Sequence, residues 1–186
     1  MVDIDDRTVF ENNRIDFWVC DCITEPEYMY SVDGEYETTL IEFWKNYNRF
    51  PLKVIHNFVR EMDDLDNDDK VYRYQIDEVH SIDELKHILD DVGWKLTLED
   101  FFITNSSKEI RFKKIDRETL KGKIPAQCPL FELGPGDTLT EVIIHGHSFL
   151  VGTNDSNLST KEQVKKIVLS WKLFITFDVE LPGAFL

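Results

Sequence analysis

The apolar residues of this chain change their spacing several times, and these changes of period define its predicted helices and strands. The clearest helix begins at Ser81, which stands three residues before Glu84 as in a capping box. Gly93 occupies a position where helices often end. Between them, apolar residues recur every three or four positions, at Leu85, Ile88, Leu89 and Val92. The sequence therefore predicts an amphipathic helix between Ser81 and Gly93.

Three further segments have the helical period. Thr39 and Glu42 have capping-box spacing, and the helix that they predict ends by Asn48, because Pro51 disfavours helix in the residue before it. The apolar face of that helix contains Leu40, Phe43, Trp44 and Tyr47. Residues 51–62 also repeat apolar side chains at helical intervals, and Ser159 with Glu162 predicts the start of a last helix.

The remaining apolar segments alternate with period two or form short runs, as strands do. Asp33 and Gly34 predict a tight turn in a hairpin over residues 28–38, and a polar link at 105–108 predicts a second hairpin over 101–112. A short helix is expected at 116–121. Further strands are predicted at residues 14–22, 71–76, 128–133, 138–144, 148–152 and 173–179, with a turn at Gly134-Pro135-Gly136-Asp137.

Helices and hairpins interspersed in this order predict an α+β fold with a mainly antiparallel sheet and three to four helices packed on it. The length of 186 residues and the apolar fraction of 42% predict a single folded domain over residues 1–186.

Charge is the most informative property of the composition. The formal net charge is −15, and it is unevenly divided: residues 1–100 hold 26 acids and 10 bases, whereas the strand-rich residues 101–186 hold 10 acids and 11 bases. Such a charge disfavours direct binding to nucleic acid or to anionic membranes, and a large partner is expected to be basic. An acidic surface also aids solubility in ordinary proteins, which is the alternative explanation.

The compartment is predicted from what the sequence contains at its start and from its cysteines. The acidic start, MVDIDDRTVF, does not have the composition of a signal peptide, and no apolar run approaches the ~20 residues of a membrane span. The chain has three cysteines, and an odd number is not typical of a disulfide framework. These features predict a cytoplasmic protein.

The densest acidic run could hold calcium or form a solvated connector. Read as an EF-hand loop from Asp64, it has carboxylates at the first, third and fifth positions. However, Asp69 stands where the sharp turn needs glycine, and Gln75 stands where a bidentate glutamate is needed. The mismatch favours a solvated acidic connector.

His145 and His147 are the best metal candidates. On a strand, residues two apart project from the same face about 6.5–7 Å apart, so two imidazoles there could chelate one metal ion. The competing interpretation is a tight turn at Gly146 with exposed histidines. A small metal-dependent enzyme or metal-binding protein centred on these histidines is the alternative function.

An enzyme is the less favoured class, and no cofactor is predicted. The sequence contains none of the motifs that mark a serine nucleophile elbow, a phosphate-binding loop, a dinucleotide site or a C-x-x-C pair.

The leading hypothesis is a non-catalytic interaction protein that presents carboxylates to a basic site on another protein. A carboxylate-rich surface can mimic the charge of nucleic acid and block a nuclease or another nucleic-acid-binding protein, and small acidic anti-defence inhibitors and immunity proteins resemble this chain in size and charge. Tyrosines beside the acids would act as aromatic anchors. The predicted contact residues are Asp63, Asp64, Asp66, Asp68, Asp69, Glu25, Glu27, Asp33, Glu35, Glu37, Tyr28, Tyr30, Tyr72 and Tyr74.

A homo-oligomer is a further expectation. Residues 108–123 hold a basic cluster that could contact the acidic half of the same molecule or of a second copy. Its members are Lys108, Arg111, Lys113, Lys114, Arg117, Lys121 and Lys123.

Overall fold

The computed structural model describes residues 3–5, 26–33, 36–56, 74–92, 101–119, 122–142 and 148–168. The strands in these ranges are β1 (Asp3–Asp5), β2 (Tyr28–Asp33), β3 (Leu52–His56), β4 (Gln75–Val79), β5 (Phe101–Thr104), β6 (Arg111–Thr119), β7 (Gly122–Leu130), β8 (Thr138–Val142) and β9 (Ser148–Thr153). The helices are α1 (Tyr36–Tyr47), α2 (Ile82–Val92) and α3 (Lys161–Val168), and a 3₁₀ turn covers Ser156–Leu158.

Seven of these strands form one sheet in the order β1-β2-β9-β8-β5-β3-β4, and every neighbouring pair is antiparallel. The other two, β6 and β7, form a separate two-stranded hairpin with residue pairs from Arg111–Leu130 to Thr119–Gly122. The predicted α+β class with a mainly antiparallel sheet is therefore confirmed.

One face of the sheet is covered by the three helices. Helix α1 contacts both α2 and α3, so it lies between them, and α2 also contacts β4. The predicted apolar face of α1 is confirmed, because Leu40, Phe43, Trp44 and Tyr47 are all buried in the core between helices and sheet. The side chains that this core receives from the other helices include Leu85 and Leu89 of α2 and Val164 and Val168 of α3.

A second apolar cluster lies on the other face of the sheet. It contains Ile55, Phe102, Leu139 and Leu150 from four of the strands, together with Phe131 and Leu133 from the segment between β7 and β8. Both faces of the central strands are therefore buried, as expected for the apolar strands β8 and β9. The Gly134–Asp137 turn is confirmed by a hydrogen bond that the Asp137 N–H donates to the Gly134 carbonyl, 3.1 Å long.

The helix predicted over residues 51–62 is wrong. Residues 52–56 form β3, which pairs with β4 on one side and β5 on the other. Leu52 and Val54 enter the helix-covered core while Ile55 enters the second cluster, so the apolar residues serve two faces of a buried strand. Residues 57–62 lie outside the described part. The strand predicted at 71–76 begins later, at Gln75, and continues to Val79.

The hairpin predicted over residues 28–38 is also wrong. Strand β2 pairs with β1 and β9 instead, and α1 begins at Tyr36. Thr39 therefore lies inside α1, and it does not cap that helix. The predicted end of α1 is confirmed, because the helix stops at Tyr47 and Asn48 has a positive φ of 49°.

Strand β5 does not form the predicted hairpin with residues 109–112. All four of its residues are buried and it pairs with β3 and β8, because a strand with two apolar faces is more stable inside the sheet. Residues 111–119 pair with 122–130, so the helix predicted at 116–121 is wrong for residues 116–119.

The predicted caps of the last two helices differ in outcome. The cap of α2 is confirmed, because Ser81 Oγ accepts from the Glu84 N–H and Glu84 accepts from the Ser81 hydroxyl. The cap of α3 lies one residue later than predicted, at Thr160 with Gln163. The strands predicted at 14–22 and 173–179 lie outside the described residues.

Candidate protein-binding surface

Many of the predicted contact residues lie where the structure describes nothing. The residues concerned are Glu25, Glu35, Asp63, Asp64, Asp66, Asp68, Asp69 and Tyr72, together with the metal candidates His145 and His147. Asp33 ends β2 and Glu37 belongs to the first turn of α1, and the positions of their side chains are not described. These contact predictions remain predictions.

The connections that hold these residues leave one end of the sheet. The acidic run joins the end of β3, at His56, to the start of β4, and the His145-His147 segment joins Val142 of β8 to Ser148 of β9. Asp33, at the end of β2, pairs with Ser148. Chain topology therefore attaches three of the predicted acidic or histidine segments to the same end of the sheet.

The predicted contact residues that the structure describes differ in their surroundings. Glu27 is exposed, and its backbone N–H donates to Asn154 Oδ1 at 2.7 Å. Tyr28 is half-buried against the helix-covered core. Tyr30 is only 5% exposed and its hydroxyl donates to the Leu158 carbonyl, so its side chain belongs to the core in this structure. Tyr74 is half-buried against the second cluster, with its ring 5.6 Å from that of Phe112.

The structure shows an acidic surface that lies outside the predicted contact residues. Residues 74–92, which comprise β4, α2 and their flanks, contain six carboxylates and one lysine, so their net charge is −5 with neutral histidines. We call this surface the acidic edge, because β4 is the last strand of the sheet in the part of the chain that the structure describes. Its carboxylates are Asp77, Glu78, Asp83, Glu84, Asp90 and Asp91.

The carboxylates of α2 project away from the core because of helical spacing. Leu85 and Leu89 are buried, whereas Asp83 and Asp91 have side chains that are 87% and 71% exposed. Asp90, seven residues after Asp83, is also exposed on the side of the helix away from the core. The amphipathic pattern that predicts the helix also indicates that these acids are exposed, because they occupy the positions between the apolar residues.

Ion pairs within the acidic edge are few and solvent-exposed. Lys86 Nζ lies 3.3 Å from Asp83 Oδ1, and the His87 and His80 rings lie 4.0 and 3.4 Å from Asp91 and Glu78. Exposed pairs of this kind contribute little, typically below about 1 kcal/mol. Glu84 accepts hydrogen bonds from the His80 backbone N–H and the Ser81 hydroxyl, and these bonds lower the pKa of its carboxyl. Glu84 therefore keeps its negative charge at neutral pH.

Asp77 is held in place by a buried histidine. His56 Nε2 lies 3.0 Å from Asp77 Oδ2, and Gln75 Nε2 donates to both oxygens of the same carboxylate at 2.9 Å. His56, the last residue of β3, is 6% exposed and stacks against Phe101. Its contact with Asp77 joins β3 to the acidic edge. This contact connects β4 firmly to the sheet.

Positive charge is concentrated in the β6–β7 hairpin. Residues 111–130 hold six bases and two acids, so this hairpin has a net charge of +4. At its base, Lys108 and Arg111 pair with Glu132, and the hydrogen bond from Lys108 lowers the pKa of the Glu132 carboxyl. The hairpin is a two-stranded sheet of its own, and its Phe112 ring contacts that of Tyr74, which directly precedes β4.

A second polar cluster, at the opposite end of the sheet, has a structural role. Asp155 is 4% exposed and accepts hydrogen bonds from the Tyr47 hydroxyl at 2.7 Å and from the Asn157 backbone and side chain. Arg49 lies 3.5 Å from the same carboxylate. These contacts join α1 to the segment after β9, and every oxygen of Asp155 has a protein partner.

Comparison with known proteins gives no relative: no family model, curated protein or solved structure matches this chain. Among the described helices, none has the length and apolar character needed to cross a membrane. The described residues also contain no group of three or more histidine, cysteine, aspartate or glutamate side chains arranged to hold a metal ion.

Proposed function

We propose that this chain is a non-catalytic interaction protein whose carboxylates bind a basic site on a macromolecular partner. The partner class that fits best is a nuclease or another nucleic-acid-binding protein, which the chain would block as a mimic of nucleic acid in an anti-defence or immunity role. We place this activity in the cytoplasm. The single observation that carries the proposal is the acidic edge, where β4 and α2 adjoin and residues 74–92 contain six carboxylates and one lysine.

The exposure of these carboxylates determines how they would act. They remain hydrated, so their main contribution is to attract a basic partner over distance and to orient it. Such steering raises the association rate and makes it strongly dependent on ionic strength. In the sequence, the acidic run at residues 63–69 precedes β4.

A pair of charge-matched variants tests this proposal. The edge variant replaces Asp83, Asp90 and Asp91 with asparagine, which leaves the Ser81–Glu84 cap intact. The control variant replaces three glutamates elsewhere with glutamine, namely the exposed Glu109 and Glu162 and the half-buried Glu42. Both variants lose three negative charges, so they differ only in where the charge is removed.

The partner is first captured on immobilised wild-type chain and identified by mass spectrometry, and association rates are then measured by surface plasmon resonance over a range of salt concentrations. We expect the edge variant to associate about tenfold more slowly at low salt and the control to retain most of the wild-type rate. Equal losses in both variants would show that net charge alone acts, and unchanged rates in the edge variant would exclude this surface. The same measurement on Asn variants of Asp63, Asp64, Asp66, Asp68 and Asp69 tests the acidic run.

The metal-binding alternative at His145 and His147 stays a separate prediction. A metal analysis of the purified wild-type chain and of a variant with both histidines replaced by alanine distinguishes it from the interaction hypothesis. Stoichiometric zinc, iron or manganese that is lost in the variant would favour the alternative.

A further inference from the structure

Two exposed histidines lie within the acidic edge. His80 stands between β4 and α2, with its Nε2 3.4 Å from Glu78 Oε1, and its backbone N–H donates to Glu84 Oε2 at 2.9 Å. His87 belongs to α2, and its Nε2 lies 4.0 Å from Asp91 Oδ2. The two histidine side chains are 64% and 80% exposed, so protons from the solvent can reach both rings.

The position of His87 on α2 gives it acidic neighbours toward both ends of the helix. Residues three and four positions apart lie next to each other on a helix surface. For His87 these positions are Asp83, Glu84, Asp90 and Asp91, and all four residues are exposed. A proton on the His87 ring would therefore place a positive charge among the carboxylates of α2.

Other charged groups of the elements around the two rings have different contacts. Residues 74–92 contain one base, Lys86, whose Nζ lies 3.3 Å from Asp83 Oδ1. Asp77 of β4 contacts the buried His56. Helix α1 also packs against α2, but within the described ranges none of its charged side chains forms an ion pair with either exposed ring. The side chains that pair with the two rings are therefore carboxylates.

We propose that His80 and His87 make binding at the acidic edge dependent on pH, so that a basic partner associates more slowly as the two rings gain protons. Histidine is the side chain whose charge ordinarily changes between pH 5 and 8. With both rings neutral, residues 74–92 have a net charge of −5, and with both rings protonated the net charge is −3. The smaller charge attracts a basic partner less strongly. This inference rests on the proposed function and specifies the regulation of its binding surface.

The test uses an immobilised synthetic peptide of twenty lysines as the basic probe. Lysine has an ordinary pKa of about 10.4, so the charge of the probe stays constant between pH 5.5 and pH 7.5. Association of the full chain is measured by surface plasmon resonance at low salt. We expect the wild type to associate about fivefold more slowly at pH 5.5 than at pH 7.5. This change is smaller than that expected for the edge variant, because two charges are altered instead of three.

Two matched variants locate the source of the pH dependence. The histidine variant combines His80→Gln with His87→Gln, and the control combines His145→Gln with His147→Gln in the segment between β8 and β9. Each variant loses two histidines. The histidine variant should associate like the wild type at pH 7.5 and change by no more than about twofold at pH 5.5, whereas the control should keep the full change.

A wild-type rate that does not vary with pH would overturn the inference. A pH dependence that persists in the histidine variant, or that disappears equally in the control, would also overturn it. Failure of the proposed function appears in a different measurement, as unchanged association of the captured partner with the edge variant at pH 7.5. If the edge variant associates more slowly while the wild-type rate is independent of pH, the pH inference alone fails.

Discussion

The Tyr47–Asp155 hydrogen bond is expected to make a large contribution to stability, and Tyr47→Phe tests this directly. The Tyr47 hydroxyl donates to Asp155 Oδ2 at 2.7 Å, lies 3.0 Å from Thr138 Oγ1, and belongs to a buried side chain. A hydrogen bond to a charged group contributes about 1.5–3 kcal/mol. Removing the hydroxyl should therefore lower the free energy of unfolding by about 2 kcal/mol at pH 7.

The pH dependence of stability provides a second measurement of the same contact. Burial raises the pKa of the Asp155 carboxyl, but the hydrogen bonds from Asn157 and Tyr47 and the charge of Arg49 outweigh burial and lower it below its usual value. A carboxyl with a lowered native pKa stabilises the fold above the unfolded pKa of about 3.9 and loses that contribution as the pH falls toward the native value. For Tyr47, burial and the Asp155 charge raise the pKa of the phenol, so it remains a donor throughout this range.

Urea unfolding of the wild type, Tyr47→Phe, Asp155→Asn and the double variant forms a mutant cycle at pH 7 and at pH 3. Both single variants should be destabilised at pH 7, and the difference between wild type and Asp155→Asn should shrink at pH 3. Asp83→Asn is the matched control, because its side chain is 87% exposed, and its stability should change by less than about 0.5 kcal/mol. A Tyr47→Phe effect no larger than this control would refute the argument.

Two further stability predictions concern the core and a turn. Leu85→Ala should lower the free energy of unfolding in urea by about 2–5 kcal/mol, because Leu85 is fully buried between α2 and the sheet. Ile88→Ala, at a half-buried position of the same helix, should lower it clearly less. Equal losses in the two variants would contradict the described packing. Gly136→Ala should destabilise the chain by about 1–2 kcal/mol, because Gly136 has a φ of +82° although a Cβ there would meet nothing within 4 Å. Gly134→Ala is its control, with only ordinary contacts and no positive φ, and a loss as large as that of Gly136→Ala would show that strain is not the cause.

Only part of the acidic edge can be predicted from the sequence. The helix over α2 and its cap follow from local spacing, and the same spacing places its acids opposite the apolar stripe. The predicted contacts lie instead at residues 63–69, where acids are densest along the chain. Strand β4 is the last described strand of the sheet and adjoins α2, and Ile76 is exposed between Gln75 and Asp77. This arrangement depends on strand order, which local spacing does not determine.

The sequence by itself determined the elements whose residues interact within a few positions: the apolar faces of α1 and α2, the Ser81–Glu84 cap, the Gly134–Asp137 turn and the α+β class. Tertiary structure decided which strands pair and which segments become strands at all. Residues 52–56 form a strand because β4 and β5 flank them and both of their faces are buried, and Tyr28–Asp33 pairs with residues 148–153, far away in sequence. Such pairings depend on burial by distant residues, so no window of local sequence contains them.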